Sequence, residues 1–227
     1  MIFVKDVDYS ENRIIKKYLQ KLSNKHDWKK IISVVSKKVN KNLKSHDFNH
    51  IINVLNYSYK LSKFYKVDYD YLFLIIILHD LNVSIENLKN HNLVSAKEAK
   101  EFLYKLSFEK KLINKIVFSI KNHVKSYTLK HNYLNKLDIE TKILCDSDRL
   151  DSLGSIGIIR MTEISIKQNI PYFISRNDKL NQSYYGNFKW LEKISNNFYL
   201  KESKKLSKDK SKIIKEFNKI FLKEFNN

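Results

Sequence analysis

A histidine and an aspartate, His79 and Asp80, follow the most apolar stretch of this chain, residues 71–78. A charged or imidazole side chain withdrawn from water has to be paired or ligated, because its burial alone is unfavourable. The same dipeptide also begins at His26 and at His46, so the apolar setting is what distinguishes this copy. The pair therefore indicates a metal ion at the edge of a buried helix.

Two further residues, His50 and Asp148, complete a candidate ligand set with this pair. Imidazole nitrogens and carboxylate oxygens together suit Mn, Fe, Zn, Co or Mg, and four protein ligands leave coordination positions for water and substrate. A divalent ion polarises a phosphoryl oxygen and activates water without a serine or cysteine nucleophile. The set predicts hydrolysis of a phosphate ester or anhydride by metal-activated water, with Asp80 counted among the catalytic residues.

The choice of Asp148 as ligand rests on helix geometry. At about 100° per residue, positions two apart point to nearly opposite sides of a helix, so one face presents either Asp146 or Asp148. Asp148 shares its face with Asp151, Ser152 and Ser155, which form a polar stripe on an otherwise apolar segment. We therefore expect Asp148 to bind the metal and Asp146 to act on the substrate or its water; the alternative is that Asp146 only binds backbone.

The elements that position these residues are predicted to be helices. Three Gly and one Pro in 227 residues leave few turn signals of an all-β fold, and apolar residues recur at helical spacing. Asp47 is the predicted N-cap of the helix that carries His50. We therefore predict an all-α helical bundle in one domain, residues 1–227, with a C-terminal amphipathic helix over 207–225. The apolar face of that helix is a core contact or a homodimer contact.

The net charge of +19 raises the question of a polyanionic partner. Only four of the 43 basic residues are arginines, which argues against bidentate base readout in a nucleic-acid groove. Lysines spread over solvated helix faces explain the charge better, although a positive field draws phosphorylated small molecules toward a cleft. Nucleic-acid binding through the basic surface remains the alternative function.

The number of cysteines and the length of the apolar segments bear on the compartment and on membrane association. A single cysteine, Cys145, excludes a disulfide framework and a cysteine-based zinc cluster. The apolar run over residues 71–78 is too short to span a membrane, and the first ten residues contain Asp6 and Asp8 rather than the apolar region of a signal peptide. We expect a cytoplasmic protein with no membrane partner.

At the level of motifs, the order His50, His79-Asp80, Asp148 resembles the H…HD…D signature of the HD-domain metal-dependent phosphohydrolases. Residues 46–54, HDFNHIINV, resemble the HDxxHxxRV opening of a stand-alone bacterial-type subgroup. The segment that starts at Asp146, DSDRLDSLGSIGIIR, resembles the DADRLDAlGAIGiaR segment of that subgroup.

This resemblance covers about residues 44–200, the expected core, and implies an all-helical HD fold. It implies one divalent metal ion bound by His50, His79, Asp80 and Asp148. It also implies a phosphorylated substrate, and nucleotide pyrophosphohydrolase activity in the subgroup makes a nucleoside triphosphate the expected one. A phosphodiesterase, a phosphomonoesterase and a regulatory domain that senses a nucleotide without cleaving it remain alternatives.

Five residues are candidates for substrate binding. Arg149 and Arg160 stand out in a lysine-rich chain, and a guanidinium fits phosphate oxygens bidentately; surface salt bridges are the alternative. His123 lies in a segment similar to the subgroup's IxxH and is expected to hold a leaving phosphate or a second metal, or only to cap a helix. His46 and Asp151 complete the set, with Asp151 pairing with a lysine as the alternative.

The remaining histidines carry weaker signals. His46 and His50 lie one turn apart as in the HExxH motif of metalloproteases, but Asp47 is a methylene shorter than the glutamate base of those enzymes. His91 and His131, like His26, have Lys- and Asn-rich neighbours and are expected at the surface. For His91 this follows from a polar loop predicted to precede a helix that begins at Ser95.

Overall fold

The computed structural model describes residues 9–39, 43–124 and 137–225, so His131 lies outside the described residues. Within these ranges there are ten α-helices and no β-strand, which confirms the all-α prediction. The helices are α1 (Arg13–Leu19), α2 (Trp28–Lys38), α3 (Phe48–Ser62), α4 (Tyr69–Leu78), α5 (His91–Lys105), α6 (Lys110–Asn122), α7 (Ile139–Asp151), α8 (Gly154–Lys167), α9 (Tyr184–Ile194) and α10 (Lys201–Glu224). None of these helices is long and apolar enough to cross a membrane.

Helix α4 lies at the centre of the molecule. Its residues from Tyr71 to Leu78 are all buried, and the helix contacts α2, α3, α5, α6 and α7. A helix that is apolar on every side is stable only when it is surrounded, and each buried Leu or Ile contributes about 2 kcal/mol. One cluster of buried apolar residues includes members of all ten helices. The C-terminal end of α4 is therefore fixed inside the protein.

Aspartate caps fix the starts of the three helices that carry the candidate ligands. Asp47 accepts hydrogen bonds from the backbone N–H groups of Asn49 and His50, at the start of α3. Asp68 and Asp138 cap α4 and α7 in the same way. Such caps satisfy N–H groups that have no partner within the helix and complement its dipole. The caps thereby fix the residue at which each of these helices begins.

The segment that ends at Arg160 is not one helix. Helix α7 ends at Asp151 and α8 begins at Gly154, whose φ of +71° lies in the left-handed region that favours glycine. At Gly157 an added Cβ would lie 2.1 Å from the carbonyl oxygen of Ser152, so the turn requires glycine there as well. Ser155, expected on the face of Asp148, is instead exposed on α8. The turn brings α8 back alongside the end of α7.

The C-terminal helix α10 begins at Lys201, six residues before the predicted start, and ends at Glu224. Its aromatic residues contact α9: the rings of Phe217 and Phe221 lie 4.9 Å and 5.6 Å from that of Phe188. Part of the apolar stripe is thus a core contact within the chain, whereas Ile213, Ile220 and Phe225 are exposed, and the homodimer stays a prediction.

Candidate metal centre

Three helix ends bring the four predicted ligands together. His50 lies in the first turn of α3, His79 and Asp80 follow α4, and Asp148 lies in the last turn of α7. Nε2 of His50 is 3.2 Å from Nε2 of His79, 3.3 Å from Oδ2 of Asp80 and 3.5 Å from Oδ1 of Asp148. All four side chains are buried. Such a cluster of nitrogen and oxygen atoms can share one ion.

The hydrogen bonds behind the two imidazoles make both rings suitable ligands. Nδ1 of His79 donates to the carbonyl oxygen of Ile76 over 2.6 Å, and Nδ1 of His50 donates to Oδ2 of Asp151 over 2.7 Å. In a neutral imidazole the other nitrogen, Nε2, then carries a lone pair. These lone pairs converge with the carboxylate of Asp80, and a partner behind each imidazole is the usual support of a metal ligand. The donor set fits a divalent cation.

The pKa values in the cluster favour a positive charge at its centre. Burial and Arg160 lower the pKa of His50, but its hydrogen bonds to Asp151 and Asp80 outweigh them and raise it to about 9. Without an ion the ring therefore holds a second proton at neutral pH, and a bound cation would displace that proton from Nε2. Burial raises the pKa of Asp80, yet the neighbouring His79 and the hydrogen bond from His50 hold it well below its usual range. The pKa of Asp148 is likewise lowered to about 2, chiefly by His50 against the effect of burial. The aspartates therefore stay ionised, as metal ligands must be.

A second group of potential ligands surrounds the other oxygen of Asp80. Among the described residues this buried Oδ1 has no hydrogen-bond partner, and it lies 3.7 Å from Nε2 of His91 and 3.9 Å from Nε2 of His123. Both rings donate Nδ1 to a backbone carbonyl, that of Leu88 and that of Ile120. Burial and His91 lower the pKa of His123 to about 4, so its ring is neutral and presents Nε2 as an acceptor. This group is better suited to a cation than to a phosphate.

His91 was expected at the surface, and this expectation is wrong. The predicted loop is shorter, because α5 begins at His91 itself and not at Ser95. The side chain of His91 is only 15% exposed and faces His123, with 3.3 Å between the two Nε2 atoms. Its polar sequence neighbours give no signal of burial. Only the approach of α5 to the end of α4 reveals this residue.

Asp151 and Arg160 support the cluster from α7 and α8. Oδ2 of Asp151 accepts from Nδ1 of His50 over 2.7 Å and from Nη1 of Arg160 over 2.6 Å. Burial raises the pKa of Asp151, but these two partners lower it overall. Asp151 thus pairs with an arginine and a histidine rather than with a lysine. Nε of Arg160 is buried and has no partner among the described residues, so the guanidinium has an N–H group left to donate to a ligand oxygen.

Asp146 and Arg149 are not brought to the cluster. Asp146 accepts from the backbone N–H groups of Tyr199 and Leu200 over 3.0 Å and 2.9 Å, at the start of α10. Burial raises its pKa to about 6, although Arg149, 3.9 Å away, opposes this. The guanidinium of Arg149 is buried over the ring of Phe198. This geometry corrects the expected roles of Asp146 on the substrate or water and of Arg149 on phosphate. Both side chains lie on the side of α7 that faces away from the cluster.

A cavity of about 400 Å³ opens beside the cluster. Asp80, Asp148, His46, His91 and Arg160 line one end of it. Burial holds the pKa of His46 well below its usual range, and Nδ1 of this ring lies 3.0 Å from Oγ of the preceding Ser45. The volume is in the range of small-molecule sites. The cluster is thus accessible to a ligand the size of a nucleotide.

Comparison with known proteins agrees with this geometry. Residues 47–153 match the family model of the HD domain, and no curated protein matches. The Lin1889 protein of Listeria innocua is 24% identical over 88% of this chain and 98% of its own, with a TM-score of 0.63. An HD-superfamily hydrolase of Bacillus thuringiensis is 20% identical over 94% of this chain and 98% of its own, with a TM-score of 0.61. Bacillus subtilis YpgQ, solved in complex with ADP, is 18% identical over 86% of this chain and 95% of its own, with a TM-score of 0.62.

The matched residues include His50, His79, Asp80 and Asp148, together with helices α3, α4 and α7. At this level of identity the solved structures establish the fold alone. The chain therefore contains an HD domain over residues 47–153.

Proposed function

We propose that this protein hydrolyses a phosphate anhydride or ester of a nucleotide, and that pyrophosphate release from a nucleoside triphosphate is its reaction. The observation that carries the proposal is the buried cluster of His50, His79, Asp80 and Asp148, which opens into a cavity beside Arg160. The complex of YpgQ with ADP, in a protein of the same fold, supports a nucleotide. The lone cysteine supports a cytoplasmic location, where nucleotides are available.

The four clustered residues would hold the cation, and their neighbours would position the substrate. When bound, a divalent ion supplies Lewis-acid polarisation of a phosphoryl oxygen and lowers the pKa of nearby water. Asp151 keeps the His50 ring in the orientation and tautomer that a ligand needs. Arg160 keeps Nη1 on Asp151 and presents Nε to a phosphate oxygen. Lys89 adds positive charge at the cavity edge.

The number of ions is part of the same proposal. His91 and His123, together with Oδ1 of Asp80, form a place for a second cation that would share Asp80 with the first. The ligand atoms of His79, Asp80 and His123 also lie within 4.8 Å of one another. We assign His123 to this cation rather than to a leaving phosphate, because its Nδ1 proton is committed to the carbonyl oxygen of Ile120.

The test is a screen for phosphate and pyrophosphate release from nucleoside mono-, di- and triphosphates with Mn, Co, Mg and Zn. We expect pyrophosphate release that falls to background in Asp80→Ala and is retained in Glu86→Gln, a matched carboxylate change in the exposed loop after the HD pair. Turnover that survives Asp80→Ala contradicts the mechanism. Salt-sensitive binding of DNA or RNA, with no turnover under any metal, would instead favour a nucleic-acid-binding function.

A further inference from the structure

The cavity extends beyond the metal cluster, and much of its remaining wall is apolar. The side chains that line this part include Met161, Ile164, Leu180, Trp190 and Leu191, together with the polar Gln168 and Asn181. A phosphate group alone would occupy only the charged end. A ligand that fills the whole cavity joins a phosphate to a flat, largely apolar group.

Helix α8 gives the distance between the two ends. Gly157, Arg160, Ile164 and Gln168 line the cavity at intervals of three or four residues, so one face of this helix forms its wall. Arg160 marks the charged end through its bond to Asp151. Gln168 follows eight residues later, which is about 12 Å further along the axis. A nucleoside phosphate, extended from phosphate to base, has this length.

Gln168 lines this part of the cavity and carries an acceptor atom that lacks a hydrogen-bond donor within the described ranges. Its Oε1 is buried and has no hydrogen-bond partner among the described residues, although the side chain lines the cavity. A buried acceptor without a donor costs free energy, which a ligand N–H group would recover.

We propose that the apolar end binds adenine, with Oε1 of Gln168 accepting a hydrogen bond from the exocyclic amino group and Trp190 forming one wall. This rests on the proposed function and names the base of its nucleotide. Adenine suits a single acceptor, because its amino group is its only donor on the pairing edge and the rest of its surface is aromatic. Guanine carries additional donors and a carbonyl, which would lose their water partners in this apolar end.

Equilibrium titration of tryptophan fluorescence tests the inference. Adenosine 5′-monophosphate should quench the emission of the wild-type protein but not that of Trp190→Phe, in which Trp28 remains in the core. Ribose 5-phosphate, which lacks a base, should leave the emission unchanged. Purine riboside 5′-monophosphate, which lacks only the amino group, should bind about fivefold more weakly than the adenosine compound.

The variant Gln168→Met isolates the hydrogen bond, because it keeps the length of the side chain and removes the acceptor. We expect it to bind both purine compounds equally and at the weaker affinity. Equal binding by the wild type, a preference that persists in Gln168→Met, or no quenching by adenosine 5′-monophosphate overturns the inference. Binding is read without turnover, and chromatography shows that the ligands stay intact. Failure here therefore leaves the hydrolysis screen unaffected, and failure of that screen leaves this result standing.

Discussion

Asp151→Asn is the most informative single change near the metal centre, because Oδ2 of Asp151 serves two donors. Nδ1 of His50 lies 2.7 Å away and Nη1 of Arg160 lies 2.6 Å away. An asparagine whose Oδ1 takes the place of Oδ2 still accepts from both donors, but its amide oxygen is neutral, so both hydrogen bonds lose their charge assistance. The loss of negative charge at this buried acceptor is worth about 1–3 kcal/mol. With less negative charge behind His50, affinity for the cation should fall by about 10- to 100-fold.

Calorimetric titration with Mn²⁺ measures this affinity, and thermal unfolding in EDTA measures the stability of the metal-free protein. Arg160→Gln is the matched control, since it removes one donor and leaves the pair of Asp151 and His50 intact. We expect both variants to unfold earlier than the wild type, with Asp151→Asn showing the larger loss of affinity. If Asp151→Asn lowers stability but binds Mn²⁺ as the wild type does, Asp151 is only a structural partner of Arg160 and our reasoning about His50 is refuted.

Three further predictions address other parts of the site. His91→Ala should reduce the metal content by one ion while an ion remains in the first cluster, which elemental analysis checks; unchanged content excludes the second position. Asp146→Ala should destabilise the protein by about 2 kcal/mol in urea unfolding, because two backbone N–H groups lose their acceptor, and Mn²⁺ affinity should stay unchanged. Asp138→Ala removes the cap of α7 and should cost about 1 kcal/mol at pH 7. Burial raises the pKa of Asp138, but hydrogen bonds from Thr141 and the charge of Lys115 lower it overall. The difference in the free energy of unfolding between the wild type and Asp138→Ala should therefore shrink as the pH falls below 3.8. A difference that stays constant with pH contradicts this.

The clustering of the four candidate ligands could be predicted because each of them has a local signal. His79 and Asp80 follow an apolar run that only a buried helix explains, and Asp47 marks the start of the helix that carries His50. The choice of Asp148 over Asp146 needed only the helical period, and the two side chains do face opposite sides of α7. Periodicity and capping depend on residues that are close in the sequence, so they can be recognised from the sequence alone.

The remaining features depend on contacts between distant segments. His91 joins the cluster because α5 approaches the end of α4, and Asp146 binds the start of α10, more than 50 residues away. Neither contact leaves a trace in the residues nearby. Gly154 and Gly157 mark the division of α7 from α8, but in a sequence two glycines within a helical pattern are equally consistent with close helix packing.

The central position of α4 has a consequence for the lifetime of the protein. Because the HD pair ends a helix surrounded on every side, the ion-binding groups cannot be exposed without opening the core. Any cation that binds only the folded chain stabilises it, by about 2.7 kcal/mol when its free concentration is 100 times the dissociation constant. The availability of free metal in the cell would then influence how quickly this protein unfolds and is degraded, as well as how fast it turns over.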